Sequence, residues 1–68
     1  MARYYVNENA QSGGEHEVHR GDCSWLPKRE NRIYLGDFSS CHPAISAARA
    51  HFLNVDGCAH CCPACHTK

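Results

Sequence analysis

Ten residues near the C-terminus, Gly57-Cys58-Ala59-His60-Cys61-Cys62-Pro63-Ala64-Cys65-His66, hold four of the six cysteines and two of the six histidines. The whole chain is only 68 residues long. A chain of that size buries about 60% of the surface its unfolded form exposes, and such scaffolds usually need a covalent or metal staple. Large apolar side chains are scarce: the hydrophobic fraction is inflated by Ala and Cys. Tyr4, Tyr5, Val6, Val18, Trp25, Leu26, Ile33, Tyr34, Leu35, Phe38, Ile45, Phe52, Leu53 and Val55 suffice for a thin core of one sheet against one helix. The chain is therefore expected to be one domain, 1–68, closed by its cysteines, with a metal ion as the closing agent.

Composition excludes several classes of function. Formal net charge is zero with the histidines neutral, so tight sequence-independent binding to nucleic acid is not expected. No apolar run approaches the roughly 20 residues of a membrane span. Met1-Ala2-Arg3-Tyr4 leads straight into a strand-like run with no apolar export segment. The expected compartment is cytoplasmic, where grouped cysteines favour metal or redox chemistry over structural disulfides.

Arg3-Tyr4-Tyr5-Val6-Asn7 is aromatic and β-branched, a strand signature. Asn9 to Gly14 is a turn by composition, and Glu15-His16-Glu17-Val18-His19 alternates as a second strand. Arg32 to Phe38 forms a third short strand running into a turn. Ser39 or Ser40 suits a helix N-cap, and Pro43 fits the first turn. Ile45, Ala48 and Phe52 then recur at helical spacing with Ala44 and Leu53 alongside, which predicts an amphipathic helix of about twelve residues. Asn54-Val55-Asp56-Gly57 ends it, with Gly57 as a left-handed cap. The fold expected is α+β: a small three-stranded antiparallel sheet, one amphipathic helix and a C-terminal cysteine-rich zinc knuckle.

Zinc takes four N/S ligands in a tetrahedron, usually as two pairs from distant parts of the chain. Cys58-x-x-Cys61 is one such pair, and His19-x-x-x-Cys23 at the end of the second strand is its partner. His19, Cys23, Cys58 and Cys61 are the expected Zn2+ ligands. Cys41, Cys62, Cys65 and His66 are left over. Buried free cysteine behaves as a small hydrophobe. Cys41 is also within reach of Cys62 or Cys65 as a disulfide in an oxidising compartment. Cys62-Pro63-Ala64-Cys65 reads as a redox dithiol, although the larger α/β sheet that supports such dithiols is missing. With His66 it also matches the c-type haem pattern, which export would have to accompany. His16 and His60 are expected on the surface, and Trp25 as a core plug beneath the metal loop.

The run His19-Arg20-Gly21-Asp22-Cys23, then Trp25-Leu26, the alanine-bearing helix, and Cys58-Ala59-His60-Cys61 resembles the Ada-type zinc-binding module of DNA-repair methyltransferases and of some bacterial nucleases. In that module the first ligand is a cysteine whose zinc-bound thiolate accepts a methyl group from DNA phosphotriesters. Here the position is His19, and an imidazole is not that nucleophile. The resemblance thus implies metal binding without methyl transfer. His16-Glu17-Val18-His19 together with the Gly57-Cys58 to Cys65-His66 tail also resembles a group of short bacterial Cys/His-rich proteins. The expected function is a small structural zinc-binding domain, not an enzyme: a monomeric interaction module with a protein or nucleic-acid partner and no membrane contact. Residues 20–32, rich in arginine, are the expected contact surface. The alternative is a disulfide or dithiol protein using Cys62 and Cys65.

Overall fold

A computed structural model describes Met1–Thr67. The element order is β1 (Ala2–Asn7), β2 (His16–Arg20), β3 (Arg32–Phe38), α1 (Cys41–Ala48) and β4 (Val55–Gly57). Short 3-10 turns precede β3 at Arg29–Asn31 and follow β4 at Pro63–Cys65. The four strands lie in the order β3-β1-β2-β4. The class is α+β as expected, but the sheet is four-stranded and mixed rather than three-stranded and antiparallel. β1 is antiparallel to both β2 and β3, whereas β4 runs parallel to β2, with Val18 opposite Gly57.

Alternation along the central strands separates two faces. Tyr4 and Val6 of β1 and Val18 of β2 turn inward beneath α1, and Cys41, Ala44, Ile45 and Ala48 meet them from the helix. These four recur at i, i+3, i+4 and i+7, so one helical stripe is buried, and its alanines let the helix lie close to the sheet. Tyr5 and His19, paired across β1 and β2, fall on the opposite face. There Tyr5 meets Tyr34 of β3 with ring centroids 5.4 Å apart.

The structure departs from several sequence expectations. The helix has 8 residues rather than about twelve. Bonds from His51 N–H to the Ala48 carbonyl, and from Ala50 to Ala47, tighten its end. The chain then turns so that Phe52 stacks on His16, 3.6 Å between centroids. His16 is accordingly half-buried rather than a surface residue, and Leu53 is 99% exposed rather than in the core. Gly57 does not cap the helix; it is the last residue of β4 and buried. A Cβ there would lie 2.7 Å from Cys65 Cβ and 2.9 Å from the Cys62 carbonyl oxygen, so glycine is required because the tail folds back onto this strand. The third strand has the expected bounds, Arg32–Phe38, and carries a bulge. Tyr4 pairs with Gly36 but Tyr5 pairs with Tyr34, leaving Leu35 as the extra residue, and Gly36 takes φ +137°, which glycine tolerates.

Candidate metal centre

Strand pairing builds the site. The Cys58 N–H donates to the Val18 carbonyl at 3.0 Å, extending the β2–β4 ladder by one residue and bringing Cys58 beside His19. The chain then turns tightly, with Cys62 N–H bonded to the Cys58 carbonyl at 2.8 Å. That turn carries Cys61 to the end of β2, where its sulfur accepts the Arg20 N–H at 3.3 Å. After β2 a second turn, closed by Cys23 N–H to the Arg20 carbonyl at 3.1 Å, returns Cys23 to the same place. Its sulfur accepts the Trp25 N–H at 3.4 Å. The Cys23 and Cys58 sulfurs are 3.9 Å apart.

His19, Cys23, Cys58 and Cys61 thus come together, each offering one ligand atom within 4.8 Å of the others. This Cys/His group could hold a metal ion. His19 is 2% exposed, and burial lowers its pKa below the ordinary histidine value, so the imidazole is neutral at pH 7. Its Nε2 lies 3.4 Å from Glu17 Oε1, while Nδ1 is buried with no hydrogen-bond partner. A proton on Nε2, facing the carboxylate, leaves the Nδ1 lone pair available as a ligand. Burial raises the Cys61 and Cys62 thiol pKa values. A bare Cys61 therefore keeps its proton, and a cation has to displace it.

The remaining cysteines go elsewhere. Cys62 is 2% exposed and belongs to the apolar core with Tyr4 and Val18, so it packs as a small hydrophobe, with its sulfur 3.7 Å from that of Cys61. Cys65 is joined to Cys41 in a disulfide rather than paired with Cys62. His66 Nδ1 donates to the Gly57 carbonyl at 3.0 Å and lies 3.2 Å from Asp56 Oδ2. Asp56 Oδ1 accepts the N–H and hydroxyl of Thr67, both at 2.9 Å. Buried Asp56 therefore fastens the tail, a role hidden in sequence because Val55-Asp56-Gly57 reads as a turn. Glu17 was also missed; its spacing from His19 was the available signal. Trp25 is not a core plug: it is 63% exposed and stacks on exposed His60, centroids 4.9 Å apart.

No family model, curated protein or solved structure matches this chain. The site's chemistry has to speak for it. Among the described residues no helix is long and apolar enough to cross a membrane.

Proposed function

We propose that this chain is a structural zinc-binding domain, with His19, Cys23, Cys58 and Cys61 as the four ligands of one Zn2+ ion. The observation that carries this reading is the buried His19 Nδ1, without a partner, beside three sulfurs from two distant segments. A tetrahedron with Zn–S bonds of about 2.3 Å spaces its sulfurs about 3.8 Å apart, and Cys23 and Cys58 stand at 3.9 Å. Three thiolates and a neutral imidazole around a dication carry a net charge of −1. The N–H groups of Arg20 and Trp25 point at two of those sulfurs and offset it. The ligand order shared with Ada-type modules supports the same reading at the level of motif.

Four protein ligands leave no open coordination position, so the ion serves the fold and the domain is non-catalytic. It acts as a cytoplasmic, monomeric interaction module. Its contact surface is the segment 20–32, where exposed Trp25 stands on His60 beside a cleft lined by Arg3, Arg20 and Arg32. The partner is a macromolecule that this arginine and tryptophan surface can grip.

Native and denaturing mass measurement tests the reading. With the Cys41–Cys65 disulfide intact, one zinc should be present natively and lost on denaturation, and Cys58→Ser should abolish it. A folded native chain without metal, or a Cys58→Ser chain that keeps its zinc, would refute it. The Cys41–Cys65 bond favours a disulfide contribution as well, which appears in the same experiment as a mass lowered by two hydrogens.

A further inference from the structure

Apart from the four residues above, one more group among the described residues has metal-ligand chemistry: Cys41, His42 and Cys65, whose ligand atoms also lie within 4.8 Å of one another. Cys41 and His42 open α1, and Cys65 closes the 3-10 turn packed against it. His42 Nδ1 is 3.6 Å from the Cys65 sulfur and is not needed for packing, since His42 is exposed. The disulfide consumes both sulfurs, so the same atoms serve either as a covalent bond or as ligands, never both.

We propose that Cys41, His42 and Cys65 are a second metal site, for a soft or borderline cation such as Zn2+, that forms when their disulfide is reduced and is abolished when it is oxidised. Two thiolates and an imidazole are the ligand set such cations prefer. With three protein ligands, the fourth position is left to solvent or an incoming ligand, as in open zinc sites. A groove of about 390 Å3 lined by His42, Ile45, Ser46, Arg49 and Cys65 adjoins these residues. The site shares no ligand with the first and lies on the helix side of the sheet. It is thus an exchangeable site, where the first is a closed one.

The redox step balances with a low-molecular-weight disulfide, RSSR, as oxidant. The Cys41 and Cys65 thiolates give up two electrons and form the protein S–S bond. The RS–SR bond takes those electrons and breaks to two RS− anions. The cation leaves with its charge unchanged. Excess RSH, giving up its protons, runs the exchange in reverse and restores the two thiolates.

The test counts ions on the full chain in two redox states. Zinc-loaded protein is treated either with a phosphine reductant or with glutathione disulfide, then titrated with Zn2+ and weighed by native mass spectrometry. The reduced chain should hold two ions and the oxidised chain one. His42→Ala, at an exposed position that leaves packing intact, should weaken the second ion in the reduced state by at least about tenfold, the loss that even an outer-shell partner causes. Cys41→Ser/Cys65→Ser should hold one ion in either state. A reduced chain with a single ion that survives the double substitution and is lost in Cys58→Ser overturns this proposal and leaves the first site standing. A single ion lost in the double substitution but kept in Cys58→Ser does the opposite. An unchanged second ion in His42→Ala also overturns it.

Discussion

The tail contributes to two cysteine clusters, one completed by His19 and Cys23 near the end of β2, the other by Cys41 and His42 at the start of α1. Cys58 and Cys61 join His19 and Cys23, while Cys62 packs in the core beneath the helix and Cys65 is bonded to Cys41. On the first side the sulfurs are buried or half-buried, accept backbone N–H bonds and meet a buried imidazole. On the second, a disulfide lies beside an exposed histidine. Nearly the same residue types make up the closed site and the open site proposed above. What differs is how many strand-anchored ligands reach each place. The closed cluster draws on β2 and the end of β4; the open one draws on a helix start and a single turn.

The largest effect should come from breaking the closed side. A structural zinc ion contributes roughly 10–16 kcal/mol of apparent folding free energy, well beyond the few kcal/mol a core this small supplies. Cys58→Ser, or a strong chelator, should therefore unfold the chain, seen as loss of the cooperative melt in circular dichroism. An unchanged melt would show that the apolar core suffices.

Breaking the covalent side should cost less. The Cys41–Cys65 bond spans a separation of 24 residues, and loop closure of that length is worth about 3.5 kcal/mol. Cys65→Ser should keep its zinc at the closed site while its denaturation midpoint falls. Loss of that zinc would mean the ligand sets have been misassigned.

Gly57→Ala strikes both sides together, because its Cβ would press on Cys65 and on the Cys62 carbonyl. Overpacking of this kind costs about 1–3 kcal/mol, and chelator-competition assays should find zinc affinity weakened alongside stability. Glu17→Gln sharpens the comparison, since only the closed side has a carboxylate behind its histidine. Its zinc affinity should fall about 10–100-fold with little change in disulfide stability.

The smallest effect is the part of the pH dependence due to His19. Unfolded cysteines titrate near 8.5 and histidine near 6.5; with zinc held as proposed above, all four ligands would be proton-free in the folded state. Stability is thus lost as pH falls below each unfolded value. Three cysteines contribute from about pH 8.5 downward and His19 adds a fourth proton below about pH 6.5. Burial lowers the His19 pKa even without metal, which gives the same sign. Melting temperatures between pH 5 and 9 should fall with acid and steepen below 6.5, and a straight line through that region would exclude His19.

The hairpin of β1 and β2 was readable because Tyr4-Tyr5-Val6 and the Glu15–His19 alternation are local signals. The meeting of His19, Cys23, Cys58 and Cys61 was readable from spacing, since each pair sits on a short turn. β4 was not: Val55-Asp56-Gly57 has the composition of a turn and becomes a strand only through non-local pairing with His16–Val18. The partner of Cys65 was also hidden, because six cysteines admit fifteen pairings and only the helix position selects Cys41. Trp25 misled for a related reason. Its size argued for burial, but its loop is anchored through Cys23 and leaves the indole outside.

The parallel register of β4 on β2 has a consequence for synthesis on the ribosome. The two halves of the closed site lie on either side of β3 and α1 in chain order. β4 can take its place only after both have been laid down, and Cys61 leaves the exit tunnel late. A nascent chain holding only His19 and Cys23 has two ligands and a weak grip on any ion. On the ligand set proposed above, secure capture of metal therefore waits until Cys61 has been synthesised.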